Sequence, residues 1–142
     1  MPPSEVNKGA GTPPKGQSLA VIAESLYLIN LLLAPGLAFI ALVIVYLRQM
    51  REAPPLARCH LRQTMAASIW AGIFLIVINL LIVAFGGYDA SYTWMFVVLY
   101  FTACHSTLIF LGMVGLAKAM AGKPWRYPLV GRACPEMVES EE

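Results

Sequence analysis

Charge is scarce in this sequence and missing from most of its middle. Asp, Glu, Lys and Arg make up 13% of the 142 residues, about half the share usual in soluble domains. No charged residue falls between Glu24 and Arg48, between Arg62 and Asp89, or between Asp89 and Lys118. Each of these runs exceeds the ~20 residues an α-helix needs to cross a hydrocarbon core of ~30 Å. A water-soluble fold would leave such surface exposed and aggregate. The expected fold class is all-α, a polytopic membrane protein.

Carboxylates are the rarest of the charges inside the chain: Asp89 is the only one between Glu52 and Glu136. That excludes hydrolysis by paired acids. There is no Gly-rich phosphate loop, no His-Glu-x-x-His, no Cys-x-x-Cys, and no supportable Ser/His/Asp arrangement. No catalytic residue, metal or cofactor is therefore expected, and the chain is not expected to be an enzyme. Cysteines are few, and Cys59, Cys104 and Cys134 have no paired spacing. Two of them flank segments expected in the cytoplasm, so reduced thiols are expected. A formal net charge of +2 is too small to imply a nucleic-acid partner. A cleaved signal peptide is not expected, because the first apolar run is too long for one and lacks a small-residue cleavage site.

What is present divides into a tail, three apolar segments and a second tail. Residues 1–17 are Pro/Gly-rich and polar and are expected to be disordered. The transmembrane domain is expected over 18–120, with helices at about 18–50, 56–85 and 92–120. Ser18 is a candidate cap for the first. Segment one is longer than one straight crossing needs, and Pro35–Gly36 interrupts it. A single span kinked at Pro35 is the expected shape. The alternative is a helical hairpin that enters and returns at Pro35–Gly36, with arms too short to span. Residues 121–142 form a C-terminal interfacial tail ending in Glu136, Glu139, Glu141 and Glu142.

Lys and Arg counts in short loops set orientation. Arg48, Arg51, Arg58 and Arg62 surround the first loop against a lone Glu52, and Lys118, Lys123, Arg126 and Arg132 follow the last segment. The "GGYDAS" turn at 86–91 has no base. The expected location is a bacterial inner membrane with the first loop and C-terminus cytoplasmic. Three crossings then put the N-terminus outside, whereas a hairpin would put it inside, where Lys8 and Lys15 would sit better. Arg48, Arg51, Arg58, Arg62 and Arg126 are candidate contacts for anionic lipid headgroups. Aromatic residues at both ends, with Trp125 and Tyr127 at the inner one, suit headgroup boundaries.

Polar residues inside the apolar runs are the remaining candidates. His105 lies ~20 Å up the last helix from Lys118, near mid-membrane. At that depth it is expected neutral, bonded across helices to Asn79, Ser68 or a backbone carbonyl. Cofactor ligation, or a proton or substrate path, are its sharper readings. Asn30 and Asn79 are likewise expected to bond across helices, and Asn30 could satisfy a carbonyl freed at Pro35. Cys59–His60 and Cys104–His105 suggest metal binding at first sight, but adjacent residues on a helix point ~100° apart. Ser68 with Gly72, and Gly112 with Gly115, are small-residue pairs expected to let segments two and three pack closely.

At "LARCHLRQTMAASIWAGIFLIV" and "GLAKAMAGKPWRYPLVG" the chain resembles a group of small bacterial multi-pass proteins. These are distantly related to the twenty-kilodalton channel-like subunit of the chloroplast inner-envelope translocon. The matching positions are His60 and Gln63 near the start of a middle span, and Arg126, Tyr127 and Pro128 after the last one. The resemblance covers about residues 25–130 and implies fold and topology rather than an activity; a clear fourth span of that group is missing here.

Together these features lead to one expected function: a small non-catalytic membrane subunit, scaffold or assembly factor in a larger inner-membrane complex. Its partners would be lipids, other integral subunits or itself. The alternatives are an oligomeric transporter or channel with a polar path at His105 and Asn79, and an electron-transfer subunit using His105.

Overall fold

The computed structural model describes residues 11–134; most of the expected N-terminal tail and the four terminal glutamates lie outside that range. The described residues form five α-helices: α1 (Gln17–Leu32), α2 (Leu37–Gln49), α3 (Pro55–Gly72), α4 (Ile78–Gly86) and α5 (Ser91–Met120). A π-helical turn, Ile73–Val77, joins α3 to α4, so Pro55–Gly86 runs as one continuous rod. Among the described residues, that rod and α5 are the two helices long and apolar enough to cross a membrane. The all-α class stands.

Segment one is not a single kinked span. Pro35 has no N–H to continue the helix, and Gly36 adopts φ +86°, a value that favours glycine. The chain therefore reverses. Ala23 of α1 and Leu42 of α2, both fully buried, pack in one cluster with Ala53, Ala57 and Leu61. At ~1.5 Å per residue the two arms are only about 24 and 20 Å long, short of a full crossing. A kink and a reversal share the same Pro-Gly signal; the packing of Ala23 against Leu42 separates them.

The reversal changes where the ends lie. Gln17 at the start of α1 donates its side-chain amide to the Met120 carbonyl at the end of α5. The start of α1 thus lies at the same end of the bundle as the first loop and the residues that follow α5, not opposite them. Gly16, at φ +85°, precedes α1, and no side chain caps the helix; Ser18 lies inside the first turn. A Cβ at Gly16 would meet Ala57 at 2.9 Å, so α1 starts tight against α3.

Helix α1, too short to span, is the centre of the molecule. Ala20, Ala23, Glu24, Tyr27 and Leu28 are buried on it, at the spacing that lines adjoining faces of a helix. The Gly112–Gly115 pair on α5 faces α1, not segment two. A Cβ on Gly112 would stand 2.7 Å from Tyr27 and Leu28 atoms. Gly72, by contrast, has open space around it. Segments two and three therefore flank α1 rather than closing on each other through these glycines.

At the far end, the "GGYDAS" turn is held by two bonds. Tyr92 donates to the Gly86 carbonyl at 3.1 Å, and Trp94 donates to the Tyr88 carbonyl at 2.9 Å. Helix α5 stops at Gly122 (φ +66°). Gly122 N–H bonds the Ala119 carbonyl and Lys123 N–H bonds the Lys118 carbonyl, the paired bonds of a Schellman motif. Pro124 prevents further helix and the tail folds back over the bundle.

Candidate functional site

Three side chains from three distant parts of the chain meet at one point in the bundle. Glu24 comes from α1, His60 from α3 and Tyr127 from the C-terminal tail. His60 Nδ1 lies 2.6 Å from Glu24 Oε1. Tyr127 donates its hydroxyl to Glu24 Oε2 at 2.6 Å. His60 Nε2 lies 2.9 Å from the Lys123 carbonyl. Glu24 and His60 are both 0% exposed, which for a charged residue demands a partner.

The protons can be counted. The Lys123 carbonyl can only accept, so His60 Nε2 carries a hydrogen. Tyr127 uses its own hydrogen on Oε2. One further proton occupies the Nδ1–Oε1 contact, on nitrogen as an ion pair or on oxygen as a neutral pair. Either way the pair has no net charge, which limits the cost of burying it. Burial, and then the charge of the adjacent Glu24 carboxylate, push the Tyr127 phenol well above its ordinary value, so it stays a donor. The tyrosine ring meets Tyr27 edge-on at a centroid distance of 5.5 Å. A Cβ on Gly115 would come within 2.6 Å of Glu24 Oε2 and 2.8 Å of the Tyr127 hydroxyl. Only glycine lets α5 approach here.

Gln63, one turn after His60 and fully buried, fastens the tail further along. Its Oε1 accepts from Arg132 N–H at 3.1 Å, and Tyr127 N–H points to it at 3.4 Å. Its Nε2 donates to the Arg132 carbonyl. Beside it, Cys59 and Cys134 form a disulfide. This corrects the expectation of reduced thiols: the cysteines are 75 residues apart in sequence, and only the returning tail brings them together. Cys104 is outside any disulfide.

Tyr127 points into the protein and not along a lipid boundary, and Pro128 opens a turn in which Gly131 N–H bonds the Tyr127 carbonyl at 2.9 Å. Arg126 remains on the exposed side, its Nε 3.4 Å from the Gly131 carbonyl. Arg58 donates to the Ala53 carbonyl at 3.1 Å and so braces the first loop. Arg48 and Arg51 are exposed, while Arg62 is half-buried.

The intramembrane polar residues serve the hairpin tip and the π-turn. His105 Nε2 donates to the Leu31 carbonyl at 3.0 Å, satisfying an acceptor left open where α1 ends. Asn30 does not bond a freed carbonyl; its Oδ1 accepts from the Gly36 N–H at 2.9 Å within the turn. Asn79 bonds the Leu75 carbonyl of its own rod at 2.8 Å, next to the π-turn and not across helices. Ser68 is buried with no partner for its hydroxyl. Among the described residues no hydrogen bond joins His105 to Asn79, and no group of three or more metal-ligating side chains occurs.

Sequence reasoning passed over Glu24, taking it only as the edge of the first charge-free run. A signal existed: Glu24 is the only acid between Glu5 and Glu52, set among apolar residues at a helical depth that His60 can match. The Lys123 carbonyl and the Cys59–Cys134 pairing had no sequence signal, because both depend on how the tail returns.

Comparison with known proteins bears on the resemblance noted above. No curated protein and no solved structure matches this chain. One family model does, over residues 15–134, and its description is the magnetosome magnetite crystal formation protein family. This overturns the likeness to relatives of the chloroplast translocon subunit. The residues that suggested it, His60, Gln63 and the "GKPWRYPL" stretch, seat a returning tail on a helix. Such a short packing motif does not discriminate between families. The match spans more than four-fifths of the chain, and this protein belongs to the magnetosome magnetite crystal formation family, MamF/MmsF.

Proposed function

We infer that this chain is a small non-catalytic membrane component of magnetite crystal formation. It acts as a structural subunit or scaffold beside other integral proteins or further copies of itself. The observation that carries this reading is the use made of the buried cluster. Glu24, His60 and Gln63 are wholly enclosed, and their bonds run to one another, to Tyr127 and to tail backbone. A proton can shift between Nδ1 and Oε1, but no reacting molecule can reach it. The large accessible surfaces are instead apolar helix faces, with Phe85 88% and Leu33 80% exposed, suited to lipid or helix partners.

The membrane concerned would be the magnetosome's, with the arginine-bearing end on the cytoplasmic side. The test is complementation of a magnetosome-forming host that lacks this gene. A Glu24→Gln chain that reaches the membrane folded should restore crystals of wild-type size, because glutamine can keep the contacts. A folded Glu24→Gln chain giving no crystals would point to proton chemistry at the site and overturn the reading. Co-purification in mild detergent should recover other integral proteins of that membrane, or a homo-oligomer.

A further inference from the structure

Two separate attachments hold the tail on the bundle. The first is the Glu24–His60 pair, which accepts the Tyr127 hydroxyl and, through His60 Nε2, binds the Lys123 carbonyl. The second lies beyond the turn at Pro128. There Gln63 bonds both the N–H and the carbonyl of Arg132, and Cys134 is joined to Cys59. Little else supports this outer stretch. Leu129, Arg132 and Ala133 are exposed, while Val130 packs on the cluster around Tyr27 and Tyr127. Leu129 is also the one non-glycine described residue at positive φ, +68°, a conformation that strains a bulky side chain. Strain in the turn therefore works against the second attachment and leaves the first untouched.

The surroundings of the two sulfurs suit the reduced state as well as the oxidised one. Cys134 is half-buried, whereas Cys59 is 3% exposed, so an incoming thiol reaches Cys134 first. A side-chain amide carries two hydrogens. Gln63 Nε2 gives one to the Arg132 carbonyl and lies 3.4 Å from Cys134 Sγ, where the other can meet a thiolate. Cys59 Sγ lies 3.8 Å from the Trp125 carbonyl, an acceptor for the S–H that forms when the bond opens. Reduction thus leaves the enclosed Cys59 with a partner.

We propose that Cys59–Cys134 is a reversible thiol–disulfide clasp, opened by a dithiol at the loop end of the bundle, that frees residues 128–134 and leaves Tyr127 seated on Glu24. A thiolate of the dithiol attacks Cys134 Sγ. The bond between the two cysteines breaks, and Cys59 leaves as a thiolate that takes up a proton and donates it towards the Trp125 carbonyl. The second thiol of the reductant then attacks the mixed disulfide and releases Cys134. The protein gains two electrons and two protons, and the dithiol becomes a disulfide. A disulfide oxidant runs the exchange backwards. The clasp stands apart from the role in crystal formation, because it concerns only how the tail is held.

Hydrogen–deuterium exchange mass spectrometry of the full wild-type chain in detergent tests it, with peptide masses reporting the state of the bond. Oxidised glutathione closes the pair at the start. Dithiothreitol should then speed exchange over 128–134, where the Gly131 and Arg132 N–H groups are bonded, by about tenfold. Helices α1 and α3 should stay protected, and a return to oxidised glutathione should restore the slow pattern. The paired variant Cys59→Ser with Cys134→Ser should show the fast pattern throughout and ignore dithiothreitol. A pair that does not close in oxidised glutathione, or does not open in dithiothreitol while the chain stays folded, overturns the proposal. So does a pair that opens with no change over 128–134. Loss of protection in α1 and α3 together with the tail overturns it too, and would make the bond a staple of the whole bundle.

Discussion

The loop end and the hairpin-tip end of the bundle hold together by different means. At the loop end α1, α2, α3 and α5 all arrive, and a buried acid, histidine, phenol and amide bind them to the tail beside a disulfide. Among the described residues, only the far part of the Pro55–Gly86 rod and the first half of α5 continue beyond His105. There the side chains are apolar and largely outward-facing, with Leu80, Phe85, Val98 and Leu99 all exposed. The polar bonds at this end are small repairs: His105 to the Leu31 carbonyl, Asn79 to the Leu75 carbonyl, and the Tyr92 and Trp94 clasps on the turn. One end is specified by directional bonds among buried polar groups; the other relies on its surroundings to cover apolar surface. Damage should therefore be far more costly at the first.

The sharpest break in this comparison is one of topology. If the hairpin reverses at Pro35–Gly36, reporters fused at the N-terminus and at Glu142 should report the same side of the membrane, and one inserted at Asp89 the other. Opposite sides for the two termini would restore a full first span and remove the four-against-two contrast. The same experiment addresses the thiols. Basic loops favour the cytoplasm for this end, whereas a stable disulfide favours an oxidising compartment. Thiol labelling of the protein as isolated shows which of the two governs Cys59 and Cys134.

Glu24→Ala should be the most destabilising single change, by about 3–5 kcal/mol, because it leaves His60 and Tyr127 buried without their acceptor. Denaturant unfolding in detergent micelles measures it, and Glu24→Gln should lose much less. Paired Cys59→Ser and Cys134→Ser should cost about 2–4 kcal/mol and expose Arg126 and Arg132 to trypsin. If tail cleavage is unchanged, Gln63 and Tyr127 suffice to hold the tail. Gly115→Ala should cost about 1–3 kcal/mol by forcing α5 away from Glu24 and Tyr127. Gly72→Ala, at the other end of the comparison, should be neutral or stabilising by up to about 1 kcal/mol, since it meets open space and alanine favours the helix. Equal losses at Gly115 and Gly72 would deny the difference between the two ends.

Much of the fold was legible because lipid immersion writes itself into charge-free runs. The bounds expected at 56–85 and 92–120 fall close to Pro55–Gly86 and Ser91–Met120. Segment one was harder, since a proline removes a donor in a kink and in a reversal alike. Only contacts between residues twenty apart decide which. The small-residue stripe on α5 was visible, but its partner was not: small residues permit close approach without naming what approaches. The candidate site was half legible. His60 and Gln63 stood out, whereas a lone acid near a helix start, such as Glu24, suits headgroups equally well. Tyr127 carried an interfacial signature that burial in the protein satisfies just as fully.

The half-depth hairpin also gives the protein a shape. Four helical cross-sections sit on one side of the level marked by His105 and two on the other, so the area displaced in the two leaflets is unequal. Copies set side by side would splay at their crowded ends, and a sheet rich in them would close toward the slimmer ends, as a vault closes on its keystones. Vesicle diameter on reconstitution at rising protein-to-lipid ratio measures that tapering directly: a diameter that does not shrink would mean the lipids absorb the mismatch.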